Sequence, residues 1–156
     1  MVTVTPLERA DAPALRAIRE RPEVIAWWGR QEDDFPFEEP ESTRYAIRVD
    51  GEVAGMIQYG EENDPDYRHA WIDLFVDPTH HGRGVGTEAI GLVLRVLTEE
   101  RGHHRVTIDP ATDNAAAIRC YEKAGFSPVG VTRRSWRDPD GVWRDSLLME
   151  RVTDPR

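Results

Sequence analysis

From Trp71 to Val76 the chain is almost continuously apolar, the pattern of a strand buried on both faces, and Asp73 is the polar residue that interrupts it. Further on, Ile90, Val93, Leu94 and Leu97 recur on one face of a helix predicted to run to about Glu100. A second apolar run, Val106 to Asp109, follows. Strand, helix and strand make a β-α-β unit, whose strands lie parallel across a right-handed crossover. Upstream, Val2 to Thr5 alternates like a short strand. Asp11 and Pro13 start a helix with Leu15 and Ile18 inward. Tyr45 to Val49 and Glu52 to Tyr59 read as strands joined by the two-residue turn Asp50-Gly51. Glu61 to Tyr67 reads as a polar, acidic turn, and Gln31 to Glu41 as a proline-interrupted acidic loop carrying Phe35 and Phe37. Downstream, an Ala-rich helix ends at Gly125, which fits the left-handed position after a helix, with Phe126 free to pack back. Val129 to Trp136 and Val142 to Arg151 form a last hairpin around Asp138-Pro139-Asp140-Gly141. There are no repeats or linkers, and residues 1–156 read as one α/β domain of the α+β type.

The junction between the Asp73 strand and its helix holds Asp77-Pro78-Thr79-His80-His81-Gly82-Arg83-Gly84-Val85-Gly86-Thr87. Glycine lets backbone approach a ligand closely, and a helix N-terminus offers unpaired N–H groups at the positive end of a dipole. Such a loop suits a pyrophosphate. It is not a Walker A loop, because Gly86 is followed by Thr87 and Glu88 rather than Lys and Ser/Thr. A dinucleotide fingerprint requires a glycine where Thr87 stands, although Asp109 would imitate its ribose-binding acid. A plain glycine-rich turn is the remaining local reading.

Val76-Asp77-Pro78 followed by His81-Gly82-Arg83-Gly84-Val85-Gly86 resembles the coenzyme A loop of the GNAT acetyltransferases, with His81 where Gln or Arg is usual. Asn114-Ala115-Ala116-Ala117-Ile118-Arg119-Cys120-Tyr121-Glu122-Lys123-Ala124-Gly125-Phe126 is similar to a second signature of the same superfamily. Within it the chain is most similar to the aminoglycoside 6′-N-acetyltransferases, through Asp109 to Asn114, Trp27-Trp28-Gly29, Gln58 and Ile72-Asp73, while Trp136 to Val152 departs from that pattern. The resemblance implies a GNAT fold, a mixed and mostly antiparallel sheet flanked by helices with a splayed parallel strand pair. It implies acetyl-coenzyme A as donor, held at positions 81 to 87 and at Asn114, with the pantetheine arm pairing like an added strand with Leu74 and Val76. It also implies that the Tyr121 hydroxyl faces the coenzyme sulfur as general acid, and that Asp73 and Asp109 bind the amine, Asp73 being the candidate base. The segment at Trp27 and Trp28 and the residue Gln58 would border the substrate.

Composition narrows the partners. With 29 acidic and 20 basic side chains the formal net charge is −9, which argues against nucleic acid and suits a small polycationic amine. No apolar run approaches membrane-spanning length, and no basic-then-apolar signal segment opens the chain, so the expected compartment is the cytoplasm. The lone Cys120 excludes an internal disulfide framework and reads as a small core residue, with no base nearby to activate it. His80-His81 and His103-His104 lack the spacing of a metal site. Composition carries no information on oligomeric state.

From the residues themselves, alternation sets Asp73 with Trp71 and Phe75, so its carboxylate needs a partner or a task. An ion pair with an arginine would be the structural answer. Asp109 is either a turn residue before Pro110 or a second acid at a neighbouring strand end. Tyr121 is a core aromatic unless the resemblance holds. Three functions fit: acetylation of an aminoglycoside at its 6′-amine, acetylation of a polyamine or a protein N-terminus, and a coenzyme-binding module without turnover. Glu61, Glu62 and the Glu32 to Glu41 loop are expected as further acidic walls of the site.

Overall fold

The Asp50-Gly51 turn forms as the sequence predicts, with both residues left-handed (φ 50° and 88°), and it sets the register of the first half of the sheet. The computed structural model describes residues 1–38 and 41–154. In chain order it contains β1 (Val2–Pro6), α1 (Ala12–Arg19), α2 (Pro22–Trp28), β2 (Thr43–Val49), β3 (Glu52–Glu62), β4 (His69–Val76), α3 (Val85–Arg95), β5 (Arg105–Ile108), α4 (Ala115–Lys123), β6 (Ser127–Arg137) and β7 (Trp143–Val152). A wide π turn, Val96–Glu100, extends α3. The strands form one sheet in the order β1-β2-β3-β4-β5-β7-β6. Every pairing is antiparallel except β4 with β5. Among the described residues no helix is long and apolar enough to cross a membrane.

Period-two alternation sends neighbouring residues into two cores. Ile57, Ile72 and Leu74 face α3, where they pack with Ile90, Val93 and Leu97. Met56 and Phe75 face the other way and pack with Leu15, Ile18 and Val24 of α1 and α2. Helices thus cover both faces of the sheet.

The parallel pair is short. β4 and β5 are in register at Ala70–Val106 and Trp71–Thr107, and their pairing stops there. Beyond that point side chains meet the β4 backbone. The Trp28 indole N–H donates to the Leu74 carbonyl and the His81 Nε2 to the Val76 carbonyl, both at 3.1 Å.

Three sequence expectations need correction. Glu61 and Glu62 belong to β3 rather than to a turn. The Glu61 carboxylate accepts from Arg101 Nε at 2.9 Å and lies 2.6 Å from His103 Nε2, so its charge is engaged within the protein. The acidic loop is not a free surface either. Phe35 and Pro36 are buried, and Arg16 donates to the carbonyls of Glu32, Asp33 and Phe35. Arg44 holds both carboxylate oxygens of Glu38 at 3.1 Å. Glu39 and Pro40 lie outside the described residues. The cation among the loop's aromatics is the protein's own. The buried Arg19 guanidinium lies 4.8 Å from the Phe35 ring centre, 5.3 Å from Trp28 and 5.9 Å from Phe75.

Candidate active site

A cleft of about 560 Å³ opens where β4 and β5 cease to pair. Leu74, Val76 and Asp73 line it from β4, and Asp109 from the residue just past β5. Tyr121, Cys120 and the cap residue Asn114 line it from α4.

The glycine loop forms one wall. Gly84 stands at the N-cap of α3 with φ 76°, a conformation that side chains disfavour, and a Cβ there would meet nothing within 4 Å. The first helical bond runs from the Glu88 N–H to the Gly84 carbonyl (3.0 Å), and no side chain caps the turn. The N–H groups of Val85, Gly86 and Thr87 therefore precede the helical ladder, at the positive end of its dipole. That donor set fits a pyrophosphate, and an extended amide-bearing arm along β4 at Leu74 and Val76 would share or displace the Trp28 and His81 hydrogen bonds to those carbonyls. Gly86 has another task than the sequence reading implied. A Cβ at this position would lie 3.3 Å from Cys120 Sγ, so Gly86 lets α3 and α4 approach closely. Cys120 Sγ is also 3.3 Å from the Thr87 hydroxyl, and burial pushes its thiol pKa up. It is a half-buried thiol on the cleft wall rather than the core residue the sequence suggested.

Asp73 and Asp109 come together. Neither has a cationic partner among the described residues, so the arginine pair is absent. Asp73 has water-accessible surface within the cleft, yet protein encloses it on its other sides and bulk water solvates it poorly. Its pKa is raised to about 7, first by burial and then by the charge of Asp109. Burial raises Asp109 as well. Tyr121 is pushed above the ordinary phenol value, first by burial and then by the charges of Asp73, Cys120 and Asp109. Its ring packs on Phe126, behind the tight turn in which the Phe126 N–H donates to the Tyr121 carbonyl at 3.0 Å. The site thus holds a carboxyl group that titrates near neutrality and a phenol that keeps its proton, two groups suited to accept and to donate.

Of the other predicted residues, His81, Gly82, Val85, Thr87 and Trp28 line the cleft, whereas Arg83 and Gln58 do not. Gln58 sits beside Asp73 in register and accepts a hydrogen bond from Arg44 Nε at 2.8 Å. Trp28 packs edge-on against Phe75 at 5.1 Å. Sequence reasoning missed Glu23, Ser135, Trp136 and Ser146 of the lining. Trp136 packs against Trp27 at the cleft, with ring centres 6.3 Å apart and planes tilted by 53°. The available signal was a tryptophan among Arg133, Arg134, Ser135 and Arg137, in a hairpin strand with nothing apolar beside it.

The model of the acetyltransferase (GNAT) family matches residues 3–126. The chain belongs to the GNAT acetyltransferases. This GNAT protein is 29% identical to aminoglycoside N(6′)-acetyltransferase type 1 of Klebsiella pneumoniae over 164 residues, 90% of the chain and 79% of the relative. It is 24% identical to spermidine N(1)-acetyltransferase of Escherichia coli over 158 residues, 95% of the chain and 84% of the relative. The crystal structure of aminoglycoside acetyltransferase AAC(6′)-Ib in complex with coenzyme A superposes with a TM-score of 0.79 at 26% identity, covering 97% of this chain and 95% of that one.

Proposed function

We propose that the protein transfers the acetyl group of acetyl-coenzyme A to a primary amine of an aminoglycoside, at its 6′ position, in the cytoplasm. One observation carries the reading beyond its family: two carboxyl groups without cationic partners among the described residues, Asp73 and Asp109, share the cleft with a protonated Tyr121. Two uncompensated acids suit a substrate that brings several ammonium groups. The resemblance to aminoglycoside acetyltransferases supplies the 6′ position.

Bound along β4 and on the α3 N-terminus, acetyl-coenzyme A supplies a thioester as the acyl donor. The N–H groups of Val85, Gly86 and Thr87 would hold its pyrophosphate, with the β4 edge at Leu74 and Val76 aligning the arm. Asp109 binds the incoming ammonium. Asp73 takes one of its protons, directly or through a water, which frees the nitrogen lone pair for attack on the acyl carbon. As the carbon–sulfur bond breaks, the Tyr121 hydroxyl gives its proton to the leaving sulfur, and the phenolate so formed takes the remaining extra proton from the substituted nitrogen, directly or through a water, as that nitrogen becomes the amide. Strand backbone N–H groups stabilise the charge that develops on the acyl oxygen.

Acetylation of a polyamine is the second reading, favoured by the likeness to spermidine acetyltransferase. A thiol-release assay with kanamycin, spermidine and a peptide carrying a free N-terminus separates them. Kanamycin is expected to turn over fastest, with the product's acetyl group located on the 6′-nitrogen by NMR. Faster turnover of spermidine or of the peptide replaces this reading.

A further inference from the structure

The β6-β7 hairpin brings two hydroxyl groups to the cleft, those of Ser135 and Ser146. Ser135 arrives there through a distortion of β6. Thr132 faces Ser146 and Trp136 faces Arg144, so four steps along β6 oppose two along β7. A bulge of this kind re-aims side chains. Arg134, within it, is left-handed at φ 50°, a conformation that non-glycine residues adopt at a cost. The bulge has fastenings of its own. The Asp145 carboxylate accepts the Arg134 N–H at 2.8 Å, and the Asp145 carbonyl accepts the Trp136 indole N–H at 3.3 Å. The Thr132 hydroxyl donates to the Ser146 carbonyl at 3.3 Å. The two serine side chains bond only to each other among the described residues, with their hydroxyl oxygens 2.7 Å apart. Two hydroxyls carry two protons, and the bond between them uses one. Whichever serine donates, one O–H is left unspent at the cleft wall. Ser146 is itself placed by the β5-β7 ladder. Ile108 pairs with Met149, the Leu147 N–H donates to the Pro110 carbonyl at 2.8 Å, and Ala111 bridges to Ser146, all in one register. Asp109 and Ala111 therefore share a face, and Ser146 is the diagonal neighbour of Asp109 on it, a separation of roughly 7–8 Å.

We infer that the Ser135–Ser146 pair recognises a hydroxyl group beside the reacting amine, and so selects an amino sugar over a polyamine. The inference rests on the proposed aminoglycoside reading and deepens it. The diagonal from Asp109 to Ser146 leaves room for an ammonium on the acid and, a few bonds away, a hydroxyl on the serines. In a sugar that carries its amine on C6, the nearest ring hydroxyl is on C4, the third carbon from the nitrogen. The pair offers lone pairs as well as its unspent proton, which suits a group that both donates and accepts. An ammonium or a methylene has no lone pair to receive that proton. Ser146 is only 3% exposed, so a polyamine filling the cleft would close the pair off from water with the proton unpaired. A site built around a hydroxyl disfavours a ligand without one for this reason. The serines are specificity residues in this role and take no part in the chemical step.

The test is steady-state kinetics with tobramycin and with dibekacin, two aminoglycosides that differ in the 4′-hydroxyl, which dibekacin lacks. Spermidine is run alongside, and coenzyme A affinity is measured by calorimetry. The wild-type KM for tobramycin should lie roughly three- to tenfold below that for dibekacin, in keeping with one added hydrogen bond. Ser135→Ala or Ser146→Ala should bring the two KM values together by raising that of tobramycin, with coenzyme A affinity retained. Ser135→Thr, which keeps a hydroxyl, should preserve the difference. Convergence in either Ala variant supports the inference, so exposed Ser135 carries the test even if the buried Ser146→Ala protein fails to fold. Equal wild-type KM values for the two drugs, or a wild-type difference in the folded Ala variants, overturn hydroxyl recognition and leave the aminoglycoside reading standing. Equal KM increases for both drugs show that the serines act on the shape of the cleft, and likewise overturn it. Wild-type protein that acetylates spermidine and neither drug overturns the aminoglycoside reading and the inference with it.

Discussion

On the side of α3 the cleft is walled by backbone: the N–H groups of Val85, Gly86 and Thr87, with Gly84 left-handed in front of them. On the side of α2 and β6 it is walled by side chains: Glu23, Trp27, Trp136 and Asp109, with Asp73 and Tyr121 between the walls. Backbone donors are the same in any sequence that folds this way, so the first wall suits a ligand common to many relatives. Side chains differ from chain to chain, so the second wall suits the partner that distinguishes one relative from another. Substitutions on the two walls should therefore separate donor binding from acceptor binding, and those between the walls should affect the reaction itself.

The largest effect is expected between the walls. Tyr121→Phe removes the proton donor while keeping the ring, and kcat should fall roughly tenfold to a thousandfold with coenzyme affinity retained. Wild-type turnover in this variant would return Tyr121 to a packing role. Asp73 should show itself through pH. With its pKa raised to about 7, kcat/KM should climb as pH rises through that value, and Asp73→Asn should be slow and lack this limb. Stability should move the opposite way. A raised carboxyl pKa means that the folded protein holds the proton more tightly than the unfolded chain does. That contribution is full below the unfolded value and is lost as pH rises through about 7. The Asn variant should therefore melt higher than wild type at about pH 8 and like it at about pH 4. A melting difference independent of pH would remove Asp73 from that description.

On the donor wall, Gly84→Val forces a branched side chain into a left-handed position, at a cost on the order of 1–3 kcal/mol. Coenzyme A affinity measured by calorimetry should drop by roughly tenfold, the equivalent of about 1.4 kcal/mol, with acceptor binding little changed. An effect of similar size belongs to the acceptor side. Asp109→Asn should raise the amine KM roughly tenfold, in keeping with about 1.5–3 kcal/mol for a charge-assisted hydrogen bond. Added salt should raise the wild-type KM more than that of the variant, because part of the attraction being screened is already gone. Equal salt dependence in the two proteins would remove Asp109 from the ammonium site.

The same contrast explains what the sequence made legible. The donor wall and Asp73 were readable because their cues are local. Three glycines stand where a strand becomes a helix, and one acid interrupts an apolar alternation. The Asp50-Gly51 turn and the stop at Gly125 were local in the same sense. Of the acceptor wall, the Trp27-Trp28 segment and Asp109 were legible through the family resemblance, whereas Glu23 and Trp136 were not. Trp136 reaches the cleft because β6 slips against β7 between Thr132 and Trp136, and such a slip depends on the partner strand rather than on the residues that slip. Likewise the acidic loop read as a solvent-facing cation trap. Its true partners, Arg16, Arg19 and Arg44, belong to α1 and β2, and their proximity is a product of the whole fold. Gln58 was placed near the right acid, but Arg44 already engages it.

The brief pairing of β4 with β5 has a consequence for how the molecule opens. Ladder bonds join β1 through β4, and join β5, β7 and β6 apart from the slips in β6, whereas between the two slabs the ladder is confined to Ala70–Val106 and Trp71–Thr107. A seam of that kind is a natural boundary between cooperative units, so backbone amides of the β5-β7-β6 slab should exchange with deuterium through a partial opening that leaves β1 to β4 protected. A ligand laid along the stretch of β4 that β5 leaves unpaired, while touching α4, bridges the seam like a staple. Coenzyme A should therefore slow exchange in both slabs and merge their two exchange regimes into one, by binding the closed form alone.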